Sequence, residues 1–196
     1  MTKKYKQNKT IIVLTGAAGS GKSAAAVSLQ HKGYTLIKFA APIKRMLHTG
    51  LGITMEDLEG VGKNEPNQFL CGKTPREGMQ LLGTEFRDMI SRDLWLLPFD
   101  MAVDTKAHDD LIVVDDARFD HEIEHLRKTY KNVIVVNIQR PDVIKLPDHL
   151  SSHVSENGIS STPDHVISND GSRKELQEKV KNIIELISVD GIPYKQ

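Results

Sequence analysis

Residues 16–23 read Gly16-Ala17-Ala18-Gly19-Ser20-Gly21-Lys22-Ser23, the spacing of a loop that grips phosphate. Glycines at 16, 19 and 21 let the backbone turn through positive φ and approach phosphate oxygens closely. The helix that starts near Gly21 turns free N–H groups and the positive end of its dipole towards the same anion. Lys22 would lay its ammonium against the β- and γ-phosphates, and the Ser23 hydroxyl would be a Mg²⁺ ligand. Ala24 and the two alanines after it extend the helix with little bulk beside a nucleotide. The chemistry implied is the binding of a nucleoside triphosphate with Mg²⁺.

Two further groupings carry charge that such a ligand needs. The run Leu111-Ile112-Val113-Val114-Asp115-Asp116 is an apolar strand ending in carboxylates, followed at once by Ala117-Arg118-Phe119. An arginine beside an aspartate at a strand end can clamp a phosphate while the aspartate orients an acceptor or a Mg²⁺-bound water. Asp116 and Asp120 each suit a helix N-cap as well; the reading taken here is Asp116 as functional and Asp120 as the cap. The second grouping is Thr74–Asp88, where Thr74-Pro75 is a helix start. Arg76 and Arg87 lie about three turns, or about 16 Å, apart along a continuous helix. They reach one anion only if the chain bends at Gly83-Thr84; otherwise they are two surface arginines paired with Glu77 and Asp88. Trp95, the single tryptophan, suits core packing first and a base-stacking wall second. Arg140 follows the fourth strand, placed to reach a triphosphate or stack on adenine. His149 and His153 are four apart, with His165 later, but neither an H-E-x-x-H pattern nor a cysteine accompanies them, so no zinc site is expected.

The elements that must position these residues alternate. Apolar runs at 10–15, 35–40, 111–115, 132–138 and 165–168 read as buried parallel strands. Helical patterns cover 22–31, 42–49, 75–90, 92–103, 119–129 and 172–187. Strands alternating with helices predict an α/β fold with a doubly wound parallel sheet. Residues 41–110 interrupt the alternation with helices and a loop at 60–72, an insertion large enough to bind something. Residues 140–164, rich in Pro, His and Ser, suit a flap over the phosphates.

The chain of 196 residues predicts one domain, and 26 basic residues balance 26 acidic ones. That balance argues against a dedicated nucleic-acid surface. Cys71 is the only cysteine, which excludes an internal disulfide and fits a reducing cytoplasm. Residues 1–10 are polar and lysine-rich, a solvated tail, and the apolar run after them is too short for a signal peptide or a membrane span.

Taken together, these segments resemble a known family. The phosphate loop comes first, then Thr74-Pro75-Arg76, Gln80-Leu81-Leu82-Gly83-Thr84-Glu85, Arg87 and Trp95. Asp116-Ala117-Arg118-Phe119 with Glu122, His153-Val154-Ser155-Glu156 and Asn169-Asp170-Gly171 follow in order. The set resembles the phage-type deoxynucleoside monophosphate kinases, small P-loop enzymes related to adenylate-type kinases, from about Ile11 to Leu186. The resemblance implies a three-layer fold, a five-stranded parallel sheet between helices. Its core would be 10–40, 111–139 and 164–188, with a substrate-binding insertion at 41–110 and a lid at 140–163.

The implied reaction moves the ATP γ-phosphoryl group to the 5′-phosphate of a deoxynucleoside monophosphate (dNMP), with Mg²⁺. ATP would be held by residues 16–24 and Arg140. Phe39, Lys44, Arg76, Gln80, Gly83, Thr84, Arg87, Trp95, Asp116 and Arg118 would hold the dNMP. Lys22, Asp116, Arg118 and Arg140 would be catalytic, and Ser23 and Asp116 would serve the metal. A homodimer in a host cytoplasm, with no nucleic acid or membrane partner, is the further implication. The family often carries an acidic residue where this chain has Ala41 after Phe39-Ala40, and alanine offers no polar contact there. Dephospho-coenzyme A kinase on the same fold, and a nucleotide-gated binding module, are the alternatives.

Overall fold

The computed structural model describes residues 7–106, 111–141 and 159–189. The expected lid, with His149 and His153, therefore lies mostly outside the described residues. The chain forms two compact units, one of residues 39–101 and one of the remainder.

The first unit is built on five parallel strands: β1 (Gln7–Thr15), β2 (Thr35–Leu36), β3 (Leu111–Val114), β4 (Tyr130–Gln139) and β5 (His165–Ser168). Their order in the sheet is β2-β3-β1-β4-β5. Side chains alternate across a strand, and in β1 both sets are buried, Ile12 and Leu14 on one face and Ile11 and Val13 on the other. That is why the run is apolar throughout. Against Ile12 and Leu14 pack Ala25, Ala26 and Leu29 of α1 (Lys22–Gln30), and Leu176, Val180 and Ile184 of α8 (Arg173–Val189). Ile123 and Leu126 of α7 (Asp120–Thr129) are buried as well. Two cross-strand pairs fix the central register. Asn132 donates to the Thr10 hydroxyl at 3.3 Å and Asn137 to the Thr15 hydroxyl at 3.1 Å, each between directly paired positions of β4 and β1.

The second strand is shorter than its apolar run. Ile37 still donates to the Val113 carbonyl at 3.0 Å. The chain then turns into α2 (Ala41–Arg45), because Pro42 has no N–H for a ladder and suits a first helical turn. The α7 start also differs from expectation. Its N-cap is Phe119, and Glu122 supplies the cap by accepting from the Arg118 and Phe119 N–H groups at 2.7 and 3.1 Å. Asp120 is therefore not the cap. Its carboxylate instead accepts from the Ser160 hydroxyl and from the Ser160 and Ser161 N–H groups.

The Ser160 hydroxyl and then these amides hold the Asp120 carboxyl below its ordinary value of 3.8. A lowered folded-state pKa stabilises the fold above the unfolded value and ceases to do so as pH falls through the folded one. Asp120→Ala is expected to lower the urea midpoint modestly at pH 7, with the gap to wild type narrowing below the ordinary carboxylate range. A gap that stays constant with pH would show that the carboxylate charge contributes nothing.

The second unit, 39–101, is helical. It contains α2, which continues as a π turn over Met46–Gly50, and α3 (Met55–Glu59), capped by the Thr54 hydroxyl. Short 3₁₀ turns at Val61–Asn64 and Gln68–Leu70 follow. Then come α4 (Pro75–Leu81), a π turn at Leu82–Phe86 and α5 (Arg87–Ile90). Thr74 and Glu77 close a capping box at the start of α4. Ile43, Leu47, Ile53, Leu58 and Trp95 form this unit's core, with Leu70, Met79 and Leu82 packed against it. The helix expected from Arg92 begins only at Leu96, as α6 (Leu96–Lys106). The Ser91 backbone is extended, and its oxygens take the N–H groups of Asp93 and Leu94 into a turn. Among the described residues no helix is long and apolar enough to cross a membrane.

Candidate active site

Because the strands are parallel, their C-terminal ends share one edge of the sheet, the edge where open α/β sheets bind ligands. That edge carries the loop after Thr15, Asp115 and Asp116 after β3, Arg140 after β4 and Asn169 after β5.

The loop's glycines have left-handed backbones, with φ of 128° at Gly16, 77° at Gly19 and 112° at Gly21. A Cβ at Gly16 would collide with the Ile138 carbonyl oxygen, and one at Gly21 would stand 2.6 Å from Asn169 Nδ2. Both positions thus need glycine for conformation and for space. Lys22 Nζ folds over the loop and donates to the Gly16 and Ala17 carbonyls at 2.7 and 2.8 Å. Ala17, Gly19 and Ser23 are exposed, Ala18 and Ala24 half-buried and Ser20 buried. Beside the start of α1 lies a pocket of about 560 Å³, lined by Ser23, Ala24, Val27, Arg140, Asn169 and Arg173 among others. An exposed arginine at a strand end and a second at the start of α8 suit a stacked base and its phosphates.

The β3 end is tightly built. Asp115 is buried and lies 3.3 Å from Lys38 Nζ, yet this Oδ1 has no hydrogen bond of good geometry among the described residues. Asp116 and Arg118 are half-buried in the turn that Glu122 holds. Asp116 was the expected functional carboxylate here, and Lys38 and Asp115 join it as candidates at this strand end. The signal was present, since Asp115 is the first carboxylate after the apolar run.

In the 39–101 unit, Phe39 is buried and stacked on Phe99 with ring centroids 4.1 Å apart. Lys44 pairs with Glu59 at 2.7 Å, and Arg76 Nε donates to Asn64 at 2.8 Å. Arg87 is 6 % exposed and pairs with Asp88 at 2.7 Å, so it is a buried arginine rather than a surface one. Residues 75–90 stay helical throughout. At Gly83-Thr84, where a bend was one of two alternatives, the chain makes a π turn, which takes one extra residue into the helix without breaking it. A Cβ at Gly83 would meet only Ile43 Cδ1, at 3.4 Å, so space does not demand glycine there. Trp95 belongs to the core, 8 % exposed, but its Nε1 has no hydrogen-bond partner among the described residues. Gln80 Nε2 and Thr84 Oγ1 are likewise buried without partners.

No group of three or more His, Cys, Asp or Glu among the described residues can hold a metal by itself. Ser23 and one or two carboxylates at the β3 end are instead the kind of sparse oxygen set that Mg²⁺ takes alongside nucleotide phosphates. Asp115 Oδ1, ion-paired with Lys38 but without a hydrogen bond of good geometry among the described residues, fits that set.

No curated protein matches the chain. Among solved structures, TT1252 from Thermus thermophilus superposes with a TM-score of 0.54 at 15 % identity, covering 92 % of this chain and 98 % of that one. Dephospho-CoA kinase from Campylobacter jejuni gives 0.46 at 15 % identity (94 % and 99 % covered), and shikimate kinase from Aquifex aeolicus 0.46 at 11 % (93 % and 100 %). The five-stranded parallel sheet flanked by helices is the fold this chain shares with TT1252. The model of the deoxynucleotide monophosphate kinase family matches residues 64–180, from Asn64, the partner of Arg76, to Val180 in α8. With the phosphate loop in place ahead of that match, the chain belongs to the deoxynucleotide monophosphate kinase family.

Proposed function

We propose that this kinase holds Mg·ATP on residues 16–24, with the adenosine end in the pocket lined by Arg140 and Arg173, and passes the γ-phosphoryl group to the 5′-phosphate of a dNMP. In the 39–101 unit the acceptor falls to Gln80, Thr84 and Arg87, with Arg76 held by Asn64 further along the same unbroken helix; in the other unit, Asp116 and Arg118 are the candidates for a phosphate. Phe39, Lys44, Gly83 and Trp95 shape its surroundings. The observation that carries the acceptor half is the helical segment 75–90, which buries Arg87 and leaves Gln80 Nε2 and Thr84 Oγ1 without hydrogen-bond partners among the described residues. Buried polar groups left unpaired cost about 1–3 kcal/mol each. A ligand rich in oxygen atoms offsets that cost.

An oxygen of the dNMP phosphate attacks the γ-phosphorus, the bond from γ-phosphorus to the bridging oxygen breaks, and ADP leaves with the electron pair. The accepting phosphate is already largely ionised near neutral pH, so no strong general base is needed. Lys22 and the arginines stabilise charge on the transferring group, and alignment supplies most of the rest. Mg²⁺, with Ser23 and the β3 carboxylates near it, would neutralise charge on the phosphates.

ADP release measured over the four dNMPs and dephospho-coenzyme A tests this reading. At least one dNMP should raise the rate by orders of magnitude and dephospho-coenzyme A should not. Stimulation by dephospho-coenzyme A alone overturns the acceptor assignment, and slow ATPase indifferent to every acceptor points to a nucleotide-gated module.

A further inference from the structure

Asn169 follows β5 directly and is only 6 % exposed. Three contacts meet on it. Its backbone N–H donates to the Gln139 carbonyl at 2.7 Å, one residue before Arg140. Its side-chain Nδ2 donates to the Ser20 carbonyl at 2.7 Å, a bond between residues 149 positions apart and fully buried. It also lines the pocket beside the start of α1, to which the proposed function assigns the adenosine end. A neighbouring network braces the turn it starts: Lys179 Nζ bonds the Ser168 carbonyl at 2.7 Å and Asp170 at 2.8 Å, and Asp170 also accepts from the Ser168 hydroxyl.

The bond to Ser20 constrains more than one oxygen. In a planar trans peptide the C=O and the following N–H point in opposite directions. Holding the Ser20 carbonyl towards Asn169 therefore turns the Gly21 N–H to the opposite side. That N–H belongs to the phosphate loop at the N-terminus of α1, where free N–H groups serve an anion. The close approach is possible only because residue 21 has no Cβ.

We propose that Asn169 is a positioning residue that couples the nucleoside pocket to the phosphate loop. Its side-chain amide sets the direction of the Gly21 N–H, while its backbone N–H ties the same residue to the strand end that carries Arg140. The proposal rests on the assignment of residues 16–24 to the triphosphate, and it extends that assignment to a residue which touches no phosphate. A residue that only lined the pocket would affect adenosine binding alone. A coupling residue also affects a ligand that has phosphates and no base.

The test is binding of Mg·ATP, adenosine and inorganic tripolyphosphate to wild type, Asn169→Ala and Asn169→Asp by calorimetry, with steady-state kinetics alongside. Asn169→Ala should weaken tripolyphosphate and ATP by about tenfold, the scale of one buried hydrogen bond to an oriented group. It should raise KM for ATP, lower kcat, and leave KM for the dNMP unchanged. Asn169→Asp has nearly the same shape but cannot donate when ionised, so it should share the defect at neutral pH. It should also recover tripolyphosphate affinity, relative to Asn169→Ala, as pH falls and the carboxyl becomes a donor. Unchanged tripolyphosphate affinity in both variants overturns the coupling. If Asn169→Ala does not fold, Asn169→Asp with its pH limb decides alone. Should wild type bind tripolyphosphate yet phosphorylate no dNMP, the acceptor assignment fails while the coupling is still decided by the binding series.

Discussion

Lys22→Ala is expected to lower kcat about 10³-fold or more, the scale of losing a preorganised charge at a transferring phosphoryl group. Its ammonium is the one cation the phosphate loop itself supplies, and it stands over the Gly16 and Ala17 carbonyls. One of those bonds is half-buried and the other exposed, so their loss costs the fold about 1 kcal/mol each. The variant should keep the wild-type far-ultraviolet spectrum and nearly the wild-type melting temperature. Lys22→Arg should be almost as impaired, because a planar fork does not replace a compact ammonium in a cradle this tight. Coupled ADP release with saturating dNMP is the assay. Near-normal turnover in folded Lys22→Ala would remove the phosphate loop from the chemistry.

The second large effect is expected at Arg87. Its guanidinium is almost fully buried, while its partner Asp88 has a side chain 55 % exposed. In the proposed reading this buried guanidinium supplies charge-assisted hydrogen bonds to the dNMP. Arg87→Ala should lower kcat/KM for the dNMP by about 10²–10³, the scale of one charge-stabilising donor. KM for ATP should move little. Arg87→Lys should recover only part of the loss, since it keeps the charge and loses the two-point geometry. If ATP affinity falls while dNMP affinity holds, Arg87 belongs to the donor side.

Much of this was legible from residues alone. The phosphate loop announced itself because glycine, lysine and serine at fixed spacing follow an apolar strand, and each requirement is local. The parallel sheet followed from alternation, and β1, β3 and β5 fall within three residues of their apolar runs. Where the reading missed, a contact distant in sequence decided. Asp120 looks like a cap because it precedes a helix, yet it is spent on Ser160, 40 positions away, and Glu122 caps from inside the helix. Gly83 looks like a helix breaker, yet it sits within a π turn of a helix that runs on to Ile90. Asn169 was visible only as one residue of a motif, and its bond to Ser20 spans most of the chain. Lys38 gave no signal, because its partner Asp115 becomes a neighbour only when β2 and β3 pair.

The central claim is that Lys22 faces a second phosphate-bearing molecule. Its most direct test is transfer of label from γ-³²P-ATP, with wild-type protein, Mg²⁺ and each dNMP in turn, and the products resolved. Label is expected in the β-position of a deoxynucleoside diphosphate in stoichiometry with ADP. Label recovered only as inorganic phosphate, at a rate no dNMP changes, would contradict it.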